Sequence, residues 1–101
     1  MTYNMKQLHD ILDTVRVKEI TEGVNPNITS LEYDSRTGTE GACFFAVVGT
    51  ASDGHNYIDA AIERGAVAVI CQHMPTTQRQ GVAYVVVEDT NIAMAAMAAA
   101  F

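Results

Sequence analysis

Eight residues stand out for chemistry, Gly49-Thr50-Ala51-Ser52-Asp53-Gly54-His55-Asn56. Their glycine spacing is that of a phosphate-binding loop, G-x-x-x-x-G-K-[ST], and they lie between an apolar run and a helical pattern, where such a loop belongs. The residues that would handle a triphosphate are absent. His55 takes the place of the lysine that reaches the β- and γ-phosphates, and Asn56 the place of the hydroxyl that holds Mg²⁺. The segment is therefore not an ATP site. It still offers two hydroxyls (Thr50, Ser52), backbone amides freed by glycine and the positive end of a following helix, all suited to a small anion. An ordinary strand-to-helix turn with Asp53-Gly54 at its bend reads equally well.

A second polar segment, Asp34-Ser35-Arg36, follows an alternating stretch from Ile28 to Tyr33. By itself it reads as Asp34 capping the next loop and Arg36 forming a surface ion pair of little energetic weight. His9, His55 and His73 share no ligand spacing, and no cluster of His, Cys and carboxylates points to a metal. No Ser-His-Asp or Cys-His arrangement and no G-x-S-x-G elbow is visible. No catalytic residue is assigned.

The elements that must hold these segments follow from periodicity. Met5, Leu8, Ile11, Leu12 and Val15 recur at steps of three and four, which predicts a helix over 5–15 with His9 on its polar side. An extended stretch follows at Val17–Ile20, then a turn-rich segment at 22–27 and a strand at 28–33 with uneven faces. After a loop containing Gly38 and Gly41, the run Cys43–Val48 is apolar throughout, as strands covered on both faces are. A helix from Tyr57 to Arg64 has Asn56 as its expected N-cap, Asp59 in its first turn, Ile58, Ala61 and Ile62 inward, and Gly65 as its stop. Ala66–Cys71 and Ala83–Val87 are two further buried strands. Strand, glycine loop, helix and strand make a βαβ unit with parallel strands and a right-handed crossover. The expected fold is a three-layer α/β/α domain with a mostly parallel sheet.

At the end of the sequence, Thr90 is expected to cap a helix with an apolar stripe of Ile92, Met94, Met97, Ala98 and Phe101. That stripe runs off the end with no glycine, polar tail or basic last turn, which suggests a longer parent protein. Residues 1–89 then form the domain proper, and 90–101 start a helix or linker toward a further domain.

Composition narrows the partners. The chain has 101 residues, 49% of them hydrophobic but only 7% aromatic, so its core is aliphatic. Twelve acidic against six basic residues give a formal charge of −6. A basic stripe, which nucleic acid or an anionic membrane would require, is missing. Cys43 and Cys71 sit singly in apolar runs without C-x-x-C spacing, as buried thiols of a reducing compartment do. The first residues include Asn4, Lys6, Gln7, His9 and Asp10, unlike a signal peptide, and no apolar run is long enough to span a membrane. A cytoplasmic location is expected.

Taken together, the segments 28–36, 41–49, 52–58, 60–69 and 87–90, followed by an alanine-rich helix, resemble the N-terminal domain of the MurE-type Mur ligases. From about residue 28 onward the order and spacing match; the first 25 or so residues match only in character. The resemblance implies a domain that grips the UDP-N-acetylmuramoyl part of its substrate. By position, Tyr33 and Ser35 fall at a nucleotide-contacting strand end, and Thr50, Ala51 and Ser52 at the loop meeting uridine and diphosphate. Since family members vary at Tyr33 and through 50–52, backbone contacts are implied there, and Ser35 is the foremost side chain.

For the parent enzyme the resemblance implies that ATP phosphorylates the carboxylate of UDP-N-acetylmuramoyl-L-alanyl-D-glutamate. The amine of meso-diaminopimelate or L-lysine then attacks the acyl phosphate. ATP and Mg²⁺ would be held by the central and C-terminal domains of the same chain, so this stretch alone is expected to hold no cofactor and to be inactive. Two rival readings are the N-terminal domain of the MurF-type ligase, which adds D-alanyl-D-alanine, and a free-standing nucleotide-sugar-binding or regulatory module. Asp-Ser-Arg and Asp-Gly-His patterns are shared with the MurF type, whereas Glu88-Asp89-Thr90 before the alanine-rich helix leans toward the MurE type. An interaction domain without a small-molecule site is a third.

Overall fold

A computed structural model of the chain describes residues 6–36, 38 and 40–101. Its strands are β1 (Lys6–Gln7), β2 (Val17–Ile20), β3 (Asn27–Ile28), β4 (Ser30–Glu32), β5 (Ala42–Phe45), β6 (Ala68–Cys71) and β7 (Ala83–Val87). The α-helices are α1 (Leu8–Ile11), α2 (Ile58–Glu63), which a 3₁₀ turn at Gly54–Tyr57 precedes, and α3 (Thr90–Ala100). The main sheet has the order β2-β7-β6-β5-β4; only β2, at one edge, runs antiparallel to its neighbour. β1 and β3 form a separate antiparallel pair.

Strand alternation sends successive side chains to opposite faces, and here both faces are apolar. Cys43 and Phe45, Ala68 and Ile70, and Ala83, Val85 and Val87 join Leu8 and Ile11 of α1 and Ala93 and Met97 of α3. Phe44 and Ala46, Val69 and Cys71, and Val82, Tyr84 and Val86 join Ile58 and Ala61 of α2 on the other side. This is the expected α/β/α layering with a mostly parallel sheet, and the βαβ unit β5-α2-β6 is parallel as read. Both cysteines are free and buried. Burial pushes the Cys43 thiol far above its ordinary range and that of Cys71 up to about 11, so neither is a ready nucleophile.

Several local expectations are corrected. The helix expected over 5–15 is a single turn at 8–11; Met5 lies outside the described residues. Lys6 and Gln7 pair with Ile28 and Asn27, and the N–H of Leu8 donates to the carbonyl of Pro26 at 2.9 Å, so this backbone is committed to a distant partner. The apolar pattern survives: Leu8, Ile11 and Leu12 are buried. The strand expected at 28–33 is split. Thr29 breaks it by turning its N–H to the Gly41 carbonyl and its hydroxyl to the Glu40 carbonyl, so Ile28 pairs with β1 while 30–32 pairs with β5. The run Cys43–Val48 stops being strand at Phe45, and Val48 is exposed.

Both helix caps differ too. Asp53, not Asn56, caps the turn before α2, accepting the N–H of His55. Asp89, not Thr90, caps α3, accepting the N–H groups of Asn91 and Ile92. Thr90 is instead fully buried, its N–H and hydroxyl both donating to Oε1 of Gln72. With the start of α3 shifted, its inner face is Ala93 and Met97, flanked by Met94 and Phe101, while Ile92 is 70% exposed and Ala98 is exposed.

The phase of α3 can be read from stability. Met97→Ala should cost about 2–5 kcal/mol, as truncation of a buried side chain does. Ile92→Ala should stay within about 0.5 kcal/mol, as exposed substitutions do. Urea unfolding of both variants checks the order; equal losses would contradict the packing described.

Candidate functional site

Parallel pairing fixes where the polar segments meet. Ser30, Leu31 and Glu32 lie in register with Ala42, Cys43 and Phe44, so β4 and β5 point the same way and end at the same edge of the sheet. Open α/β sheets bind ligands at that carboxyl edge. β4 ends in Tyr33-Asp34-Ser35-Arg36, and β5 leads through Ala46 and Val47 into the glycine loop.

The first tip is held by its own side chains. Oδ1 of Asp34 accepts the backbone N–H of Arg36 at 2.9 Å and its Nε–H at 3.0 Å, while Oδ2 accepts from Nη2 at 2.8 Å. This two-pronged pairing arches the chain around half-buried Ser35. The hydrogen bonds from the Arg36 side chain, then from its backbone, bring the Asp34 carboxyl down to about 2. The capping and ion pairing read from sequence are thus both present.

The second tip folds back on itself. Gly49 N–H donates to the Ser52 carbonyl at 2.9 Å and Gly54 N–H to the Val47 carbonyl at 2.8 Å, around an antiparallel bridge between Val48 and Asp53. Gly54 lies so close to β5 that a Cβ there would sit 2.6 Å from the Val47 nitrogen, a distance no side chain tolerates. Thr50, Ala51 and Ser52 are exposed at the tip, and among the described residues their N–H groups have no backbone partner. The positive helix end expected to serve an anion is already taken, since Asp53 accepts the N–H of His55 by its side chain and that of Asn56 by its carbonyl.

The two tips open on one cleft of about 620 Å³, a size usual for small-molecule sites. Phe44 and Val47 form part of its wall, with Tyr33, Asp34, Ser35 and Arg36 from the β4 tip and Gly49, Ser52 and Gly54 from the loop. Of the residues expected at the site, Tyr33, Ser35 and Ser52 line this cleft; Thr50 and Ala51 stand beside it at the loop apex and do not. Sequence reasoning missed Tyr57, Ala60 and Arg64, which complete the lining. Their spacing of three and four places them on one helical face, a legible signal. Two of the chain's six basic side chains, Arg36 and Arg64, therefore reach one cleft in which Asp34 is the sole carboxylate among the described residues. Tyr33 and Tyr57, 69% and 46% exposed, add two aromatic faces. Such a cleft suits a planar ring joined to a negatively charged group.

His55 was also missed. Its Nδ1 lies 2.6 Å from Oδ1 of Asp53, and its Nε2 accepts the backbone N–H of Gln72 at 2.9 Å. Occupied on both nitrogens, this ring cannot stand in for a phosphate-binding lysine, so the loop does not fit ATP. Among the described residues no group of three or more His, Cys, Asp or Glu could hold a metal ion.

Comparison with known proteins matches residues 27–101 to the profile described as Mur ligase family, catalytic domain. The UDP-N-acetylmuramoyl-L-alanyl-D-glutamate–2,6-diaminopimelate ligase of Bacteroides fragilis is 38% identical over 94% of this chain and 20% of its own length. The ligase of the same name from Chlorobaculum tepidum is 45% identical over 79% of this chain and 16% of its own. A crystal structure of MurF from Acinetobacter baumannii superposes with a TM-score of 0.80 over 98% of this chain and 21% of that one; at 21% identity it speaks for the fold alone. The chain spans about a fifth of the length of the curated relatives it matches. It belongs to the Mur ligase family.

The Asp34 carboxylate should stay ionised down to about pH 2. Because its folded value is depressed, the clamp on Arg36 is complete above the usual aspartate value and is lost only as pH falls through about 2. A carbon-detected NMR titration of Asp34 checks this, and Arg36→Ala should return the midpoint toward 3.8. An unmoved midpoint would contradict the assigned cause.

Proposed function

We propose that this member of the Mur ligase family holds the UDP-N-acetylmuramoyl part of a peptidoglycan precursor. The observation that carries the reading is the cleft shared by the two strand tips, with Arg36 and Arg64 on its wall in a chain of charge −6. In this reading the Ser35 hydroxyl hydrogen-bonds the nucleotide at the end of β4. The amides of Thr50, Ala51 and Ser52 meet the diphosphate, with Ser52 adding its hydroxyl. The ring faces of Tyr33 and Tyr57 flank the uracil.

We assign the parent protein as the ATP-dependent ligase that adds the third amino acid, meso-diaminopimelate or L-lysine, to UDP-N-acetylmuramoyl-L-alanyl-D-glutamate. The names of the relatives at 38–45% identity support this over the dipeptide-adding ligase, whose likeness at 21% is one of architecture. ATP and Mg²⁺ belong to the central and C-terminal domains of that parent, because the 49–56 loop does not fit them. Residues 1–89 then carry the grip, and 90–101 close one face of the core before leading toward the ATP-binding domain. We place the protein in the cytoplasm; among the described residues no helix is long and apolar enough to cross a membrane.

Calorimetric titration of the chain with UDP-N-acetylmuramoyl-L-alanyl-D-glutamate tests the reading. Weak but saturable binding is expected, and Ser35→Ala should reduce it about tenfold or more, the equivalent of one hydrogen bond to a charged partner. In the full-length protein the same substitution should raise the Michaelis constant for the nucleotide while leaving that for ATP unchanged. Unaltered binding would remove Ser35 from the site.

A further inference from the structure

A chain of polar contacts runs behind the cleft and joins the glycine loop to the start of α3. Asp53, which bridges to Val48 across the loop, holds both the backbone N–H and Nδ1 of His55. Nε2 of His55 accepts the N–H of Gln72, the residue that follows β6. Oε1 of Gln72 in turn accepts the N–H and hydroxyl of fully buried Thr90. The His55 side chain is itself only 14% exposed.

This geometry decides the tautomer. A backbone N–H only donates, so Nε2 must be unprotonated, and the proton of the neutral ring sits on Nδ1 and is donated to Asp53. A second proton would set N–H against N–H at Gln72 and break that link. The loop's apex, Thr50–Ser52, hangs from the bridge that Asp53 makes; the Gly54 N–H ties this segment to Val47 after β5, and the His55 ring ties Asp53 to Gln72 after β6.

We propose that His55 is a positioning residue: in its neutral Nδ1–H form it fastens the glycine loop to β6 and α3, and its protonation releases the loop and weakens ligand binding. The ligand part of the proposal rests on the nucleotide-sugar reading above; the loop part does not. Among the described residues the charged and titratable groups around the ring are Asp53, His73 with its ring centroid 5.4 Å away, and Asp59 of α2, which together with His55 line a second cleft. Gln72 and Thr90 carry no charge, so the lost link to Gln72 is what turns protonation into release.

The test follows the chain by NMR between about pH 5 and pH 8, across which an ordinary imidazole changes charge. Affinity for UDP-N-acetylmuramoyl-L-alanyl-D-glutamate is measured at the same pH values. Long-range nitrogen–proton correlations should show the Nδ1–H tautomer at the alkaline end. As His55 takes its second proton, the amide signals of Thr50–Ser52 should move with the same midpoint, and affinity should fall roughly tenfold, as for one buried hydrogen bond lost. In His55→Gln the side-chain oxygen can still accept from Gln72 but cannot titrate. Its affinity at the alkaline end should stay within about threefold of wild type, with no step through His55's range.

An Nε2–H tautomer, or loop amides indifferent to His55, would overturn the proposal, as would a wild-type pH step persisting in the Gln variant. If the nucleotide sugar fails to bind at any pH while the loop amides still follow His55, the functional reading fails and the positioning role stands.

Discussion

Everything at the candidate site depends on the parallel pairing of β4 with β5. Antiparallel strands would put the Asp34-Ser35-Arg36 turn and the glycine loop at opposite edges. Parallel register brings both to one edge, and β5 must then begin at the edge where β4 began. Thr29 and Gly41 enforce that placement. Thr29 turns its N–H and hydroxyl to the carbonyls of Gly41 and Glu40, while the N–H of Gly41 reaches the carbonyl of Gly65. Gly65 stands at φ +116°, with Glu40 Cα 2.6 Å from where a Cβ would be. The end of α2 and the entry to β5 are thereby locked together.

From that constraint follows a contrast between a net-negative chain and a cleft with a surplus of guanidinium groups. The acidic side chains are mostly elsewhere, and those near the site are engaged. Asp34 is tied to Arg36, and Asp53 is tied to the N–H and ring of His55. Their carboxyl groups are both lowered by the hydrogen bonds they accept from these partners. What stays available is local: Arg64 at the end of α2, the Arg36 edge not turned to Asp34, and the exposed apex of the loop. Acidity of a whole chain therefore says little about the sign of its ligand when the field is set at a few ångströms.

Much of this was legible before any coordinates. The runs at 43–48, 66–71 and 83–87 announced strands covered on both faces, because each alternate residue enters one of two apolar layers. Val17–Ile20 and the turn after it were also readable. What failed were features decided by distant partners. The spacing of Leu8, Ile11 and Leu12 revealed their burial but not that β3 claims the backbone before them. Asp89 and Thr90 are both good capping residues, and only Gln72, eighteen positions away, makes Thr90 the buried one. At the candidate site, Tyr33, Ser35 and Ser52 were expected from resemblance, and they stand together around one cleft. Arg64 and Tyr57 were overlooked because α2 was read for its inner face alone. His55 had no signal in spacing, since its partner Gln72 arrives through the βαβ crossover.

The central claim is that the two strand tips grip one ligand between them, and a map of where that ligand lands tests it most directly. Amide shifts of the labelled chain, titrated with UDP-N-acetylmuramoyl-L-alanyl-D-glutamate, should change together at 33–36, at 49–54, and at Tyr57 and Arg64. Changes confined to the separate cleft between β2 and α3, around Arg16, Lys18, Ile92 and Ala96, would place the ligand on the wrong side of the sheet and contradict the account.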